Sequence, residues 1–172
     1  MRQRLEAHNN PNLMLLNYSV AGVTNLFVIP KQFFVADIIE ERKPLAETAR
    51  RAGWVGCNIL LSHVPEAGKI FIVRDGLVLD RQAVLDQWRR TVFLRFESDA
   101  SRGWLLNVLR CVEMIGRQEF TLDKVYAFET HLSGLYPMNQ HVRQKIRQQL
   151  QVLRDRGFVE FLGRGRYRLS NL

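Results

Sequence analysis

The stretch that most constrains this chain runs from Asn139 to Asp155 and continues through a short basic hairpin ending at Leu169. Val142, Ile146, Leu150 and Leu153 recur at helical spacing and make one apolar stripe. Gln140, Gln144, Arg147, Gln148 and Gln151 fall on the opposite side. Gly157 stands where a helix stop is expected. Phe158 to Leu162 then reads as a strand, Gly163-Arg164-Gly165 as a turn and Arg166 to Leu169 as the returning strand. An amide- and arginine-rich helix leading into an arginine-tipped hairpin is the pattern of a recognition helix and wing in a winged-helix DNA reader. Between Asn139 and Arg168, eight basic residues face two acids, Asp155 and Glu160, a local charge of +6. Most of the net +8 of the 172 residues lies here.

That excess points to an anionic partner, and to nucleic acid before membrane. No run of about 18 apolar residues is present, so no membrane span is expected. Met1-Arg2-Gln3-Arg4-Leu5 lacks the apolar centre of a secretory signal, and a cytoplasmic, nucleoid-associated protein is expected. Cys57 and Cys111 are too few for a disulfide framework and read as buried free thiols.

Taken in order, Arg2 to Asn10 reads as the end of a helix whose start is missing. Leu13 to Val20 and Asn25 to Ile29 are strand-like, with Ala21 to Thr24 joining them. Their nearly continuous apolar character suggests strands covered on both faces. Gln32 to Glu41 carries a short helical pattern in Phe34, Ile38 and Ile39, and Lys43 to Asn58 is irregular. Lys69 to Arg74 is a strand ending in the turn Asp75-Gly76. Asp80 caps a helix with the stripe Val84, Leu85, Trp88 and Val92. A boundary is expected at Glu97 to Ser101. A helix follows with Trp104, Leu105, Val108, Val112 and Ile115 on one face. Thr121 caps a second helix with Leu122, Val125, Phe128 and Leu132, and Ser133 to Met138 turns into the recognition helix.

Arg and Gln read base edges, while Lys and other Arg hold phosphate. The base-reading set is therefore Asn139, Gln140, His141, Gln144, Arg147 and Gln148, and the backbone set is Arg143, Lys145, Arg164, Arg166 and Arg168. His141 has a second reading as a local helix cap. His8, His63 and His131 lack metal-ligand spacing and are read as structural. Arg50-Arg51 followed by Gly53-Trp54 suggests a second DNA-facing site, against the plainer reading of Trp54 as a loop anchor. A magnesium nuclease needs an Asp and an acid-x-Lys on adjacent strands. Glu41-Arg42-Lys43 after Asp37 places both acids on one turn instead, so no catalytic and no metal residues are assigned.

Several blocks carry a resemblance along essentially the whole chain. They are Asn9-Asn10-Pro11-Asn12, Ile29 to Phe33, Arg42 to Ala46, Thr48 to Trp54, Gly56 to Ile59, Ser101 to Trp104, Glu119 to Leu122, Lys145 to Gln151 and Gly163 to Gly165. Together they resemble the DpnI-type methyl-directed restriction endonucleases, the Dam-replacing family. The resemblance implies a magnesium-dependent PD-(D/E)xK nuclease domain joined to a C-terminal winged helix, cutting duplex DNA at GATC with N6-methyladenine on both strands. The family's metal-binding Asp, its Glu-x-Lys and a cysteine zinc site lie before the stretch resembling residues 1–12.

The expected fold class is α+β: an incomplete PD-(D/E)xK nuclease-like α/β domain over residues 1–97, then a winged-helix (helix-turn-helix) domain over 98–172. The expected function is binding of adenine-methylated GATC by Arg50, Arg51 and Trp54 in the first domain together with the recognition helix. No cofactor is expected in this chain, with Mg2+ needed by the full-length family. Two alternatives stand beside it. One is an endonuclease active only when a separate chain supplies the nuclease core. The other is a winged-helix transcriptional regulator. An exposed sheet edge is expected where a central strand is missing.

Overall fold

The computed structural model describes residues 11–170. The Arg2–Asn10 helix end, His8 and part of the Asn9–Asn12 block lie outside the described residues.

Strand β1 (Leu13–Ser19) and β2 (Gly22–Ile29) form an antiparallel hairpin. Ser19 pairs with Gly22, so the turn is Val20-Ala21 and not Ala21 to Thr24. β5 (Ile70–Arg74) and β6 (Leu77–Val78) extend this sheet in the order β1-β2-β5-β6. Asp75 and Gly76 both take positive φ, 51° and 80°, in the two-residue turn between β5 and β6, whose twist suits a hairpin.

The expectation of two-sided cover fails at β1. Leu13 and Leu15 pack toward the core, while Met14, Leu16 and Tyr18 are 62%, 55% and 77% exposed. An apolar run does not distinguish a strand covered on both faces from one whose second face is open. Among the described residues β1 pairs only with β2 and is an edge of its sheet.

The helical reading of Gln32 to Glu41 is also replaced. Lys31–Phe33 and Ala36–Ile38 are single 3-10 turns, and β3 (Ile39–Glu41) pairs with β4 (Cys57–Ile59) in a two-stranded ribbon. The loop between them is held by its own backbone: Leu45 N donates to Trp54 O (3.0 Å), Gly53 N to Leu45 O (3.1 Å) and Trp54 N to Arg51 O (3.1 Å).

Helix α1 (Arg81–Thr91) is capped by Asp80, whose Oδ1 accepts from Ala83 N at 2.9 Å. Its stripe is only half-buried, with Leu85 exposed. Helix α2 (Asp99–Met114) is capped by Ser98, which accepts from Ser101 N. It is not one-faced as its stripe suggested, because Arg102 to Leu109 are all buried. An α-helix apolar around most of its circumference runs through a core. A Cβ at Gly103 would come within 2.9 Å of the Tyr136 hydroxyl, so glycine lets that ring close over the helix.

The second helix of the C-terminal half divides into α3 (Leu122–Tyr126) and α4 (Glu129–Leu135). Val125 and Leu132 are buried as expected, but Thr121 makes no side-chain cap, and Ser133 to Leu135 continue α4 instead of turning. Helix α5 (Val142–Asp155) buries Val142, Ile146, Gln149, Leu150 and Leu153. Gly157 ends it at φ 73°, with Gly157 N bonded to Arg154 O and Phe158 N to Leu153 O, a left-handed stop. β7 (Glu119–Thr121), β8 (Val159–Gly163) and β9 (Arg166–Leu169) complete the chain as a sheet in the order β7-β9-β8.

One apolar core runs from Phe27, Ile29, Phe33 and Leu94 through α2 to Ile146 and Leu150. Polar groups cross the same join: Glu113 on α2 accepts from Glu66 N (2.9 Å), and Arg110 lies 3.7 Å from Asp37. Cys111 is buried, which pushes its thiol up to about 12, and Cys57 is half-buried; both are free.

Candidate nucleic-acid interface

The face of α5 opposite its buried stripe is open. Gln140, His141, Gln144, Arg147 and Gln148 are all exposed. Asn139, Gln140, His141, Gln144, Lys145 and Gln148 border one groove of about 850 Å3 at the N-terminal end of the helix. Asn139 orders this end: its Oδ1 accepts from His141 N at 2.8 Å. His141 is the residue before the helix, and its side chain makes no cap, so the capping reading of that imidazole fails. Lys145 Nζ donates to Gln148 Oε1 (2.9 Å), linking two members of the row.

The wing is a tight hairpin. Arg164 and Gly165 take φ 49° and 72°, the paired left-handed conformation of a two-residue hairpin turn. An arginine in that conformation is unusual, and it places a cation at the exposed tip.

The arginines of the backbone set differ in availability. Arg166 Nη2 lies 3.1 Å from Glu119 Oε2, and Arg168 Nη2 lies 2.7 Å from Glu119 Oε1. Arg168 also reaches Glu160 at 3.3 Å. Arg168 and then Arg166 hold the Glu119 carboxyl below its usual range by hydrogen bonding. Arg143 donates to Glu129 at 2.8 Å, and its guanidinium lies 5.1 Å from the Tyr126 ring centroid. No carboxylate among the described residues pairs with Arg147 or Arg164 within 4 Å. Of the assigned cations on α5 and the wing, these two are the most directly available to an external anion. Glu119 appears in the sequence only within a resembling block, and its ion pairing with β9, 47 to 49 residues away, is invisible in local pattern.

Arg50 and Arg51 lie in the loop between β3 and β4 and border a separate hollow with Leu45 and Ala49. Trp54 in the same loop is 54% exposed. One side of its ring covers Gly56, where an added Cβ would meet the ring at 2.9 Å. The indole is thus fixed from below and open above. The structure brings Arg50, Arg51 and Trp54 into one loop, and the residues of α5 into another surface.

The chain's single acid-x-Lys does not build a magnesium site. Glu41 ends β3 and is exposed, Glu40 accepts from Asn58 (3.0 Å), and Asp37 is engaged by His63 (3.5 Å) and Arg110. No group of three metal-ligating side chains converges among the described residues. The described residues do not fit that ion.

Residues 1–97 match the family model of the Dam-replacing family, DpnI. The chain belongs to the Dam-replacing family. Residues 100–169 match the Dam-replacing HTH domain, the segment that holds α2 to β9. The chain therefore has the architecture of a DpnI-family methyl-directed restriction enzyme: a nuclease-like region, then a DNA-binding helix-turn-helix domain with a small C-terminal sheet as its wing. No helix among the described residues is long and apolar enough to cross a membrane.

Proposed function

We propose that this chain binds duplex DNA at GATC sites carrying N6-methyladenine and reads them with two surfaces. One is the outer face of α5 with the wing, within residues 98–172. The other is the Arg50, Arg51 and Trp54 loop, within residues 1–97. We assign no hydrolysis to these residues by themselves: the acid-x-Lys lies at the end of a ribbon strand, with no converging carboxylates among the described residues.

The observation that carries the reading is the open row Gln140, Gln144, Arg147 and Gln148 together with a wing-tip cation, Arg164, that pairs with no carboxylate among the described residues. In this arrangement the row enters the major groove, where amide and guanidinium groups match adenine and guanine edges. Arg164 and Lys145 then hold phosphate, and Arg143, Arg166 and Arg168 line the backbone beside them, each still held by its carboxylate partner. The methyl mark is a weak signal at any one contact. Burying one methyl gains about 0.8 kcal/mol, roughly fourfold in affinity. Two readers, one methyl each, give about sixteenfold, which is the physical reason to engage both surfaces.

A competition mobility shift tests this. A labelled duplex with fully methylated GATC is bound by the chain and challenged with unlabelled methylated, unmethylated and GATC-free duplexes. Methylated competitor displaces the label at about one-sixteenth the concentration that the unmethylated duplex needs. Equal competition by all three contradicts the reading.

A further inference from the structure

We propose that Met138 is the methyl-contacting group of the helix-turn-helix surface, an inference that rests on the functional reading above and deepens it. Met138 is 94% exposed, in the turn between α4 and α5. It borders the same groove as Gln140, Gln144 and Gln148. Behind it the groove has a rigid aromatic wall. Trp104 and Tyr136 stack with centroids 4.0 Å apart at 17°, and Asn107 donates to the Tyr136 hydroxyl at 2.9 Å.

The chemistry of the mark asks for such a residue. An adenine in a base pair offers two groups on its major-groove edge, the N7 acceptor and one N6 hydrogen. An amide side chain answers both. In paired N6-methyladenine the remaining hydrogen goes to thymine, and the methyl stands where the donor stood. An amide oxygen placed there has nothing to accept, and leaving it unpaired in a closed interface is unfavourable. The methyl needs an apolar, adaptable neighbour beside a donor for N7. A thioether side chain is soft, unbranched and free of hydrogen-bond demand. Met138 is the exposed large apolar side chain bordering this groove, and the glutamine amides beside it supply the N7 donor.

The experiment uses the full chain, with Met138→Ala and Met138→Leu. Binding to duplexes with two, one or no N6-methyl groups in a single GATC is measured by fluorescence anisotropy. Because Met138 is almost fully exposed, unchanged thermal melting confirms that both variants fold. Met138→Ala is expected to lose about fourfold of the preference for doubly methylated over unmethylated DNA. Its affinity for unmethylated DNA stays within twofold of the parent chain. Met138→Leu keeps most of the preference. An unaltered preference in Met138→Ala overturns the assignment, as does an equal loss on methylated and unmethylated DNA, which marks a contact blind to the methyl. If the parent chain itself shows no methyl preference, the functional reading fails. If the parent discriminates and the alanine variant does so equally, only the Met138 assignment fails.

Discussion

Glu119→Gln removes the carboxylate that Arg166 and Arg168 share at the base of the wing, at 3.1 and 2.7 Å. All three side chains are well exposed, so the fold loses little, as exposed ion pairs are weak. The DNA-binding consequence is larger. Glutamine leaves two guanidinium groups without their main anionic partner, on a wing that already carries the open Arg164 at its tip. Each phosphate newly neutralised adds about 0.9 to the slope of log affinity against log salt. Two new contacts steepen the slope by about 1.8, so the affinity lost between 50 and 200 mM salt grows by about twelvefold. Affinity at the low-salt end rises above that of the parent chain. Anisotropy titrations of one methylated duplex across that salt range give both quantities. An unchanged slope and unchanged low-salt affinity would refute the placement of these arginines against phosphate, and with it the assignment of the wing to the DNA face.

Four further outcomes are expected. Arg147→Ala weakens binding to methylated GATC by about 1–3 kcal/mol with little loss of thermal stability, because Arg147 is exposed and pairs with no carboxylate among the described residues; equal affinities for the variant and parent chains contradict its role. Gly56→Ala drives a Cβ into the Trp54 ring at 2.9 Å and displaces it, so this variant and Trp54→Ala both lower methyl preference, read by competition binding. Leu150→Ala opens a cavity at a fully buried site and costs about 2–5 kcal/mol in urea unfolding, while a smaller loss argues against the packing of α5. The fourth concerns pH. Burial pushes the Glu113 carboxyl up from 4.5 to about 7, although the N–H groups of Glu66 and Ala67 pull it down. The folded chain keeps a proton that the unfolded chain releases near 4.5, so this stability is full below that pH and is lost as pH rises toward 7. Urea midpoints therefore fall more steeply over that range for the parent chain than for Glu113→Gln.

The parts legible in the sequence are those whose cause is local. The stripe of α5, the stop at Gly157 and the wing hairpin each depend on residues within a few positions of one another, and the structure holds them as read. The same is true of the Asp80 cap and the Asp75-Gly76 turn. The parts not legible depend on distant partners. The β3–β4 ribbon pairs three-residue strands across a loop of 15 residues, too short a pattern to register. The burial of α2 on nearly every side follows from Tyr136 closing over Gly103 and from the apolar first region beneath it. The open face of β1 was hidden because Met14, Leu16 and Tyr18 look like core residues in composition. At the interface, the exposed glutamine row was readable from periodicity, but the capture of Arg143 by Glu129 and of Arg166 and Arg168 by Glu119 was not. Met138 carried only a weak signal, because Leu135, Tyr136 and Pro137 before it are also apolar or aromatic and the polar run begins at Asn139.

Amide hydrogen exchange of the full chain, free and bound to a doubly methylated GATC duplex, tests the two-surface account most directly. The account predicts slowed exchange in residues 138–148, at the wing tip around 163–166 and in the 45–56 loop, with the exposed face of β1 unchanged. Exchange in 138–148 and 45–56 that stays at its free-chain rate while the duplex is saturated would contradict it.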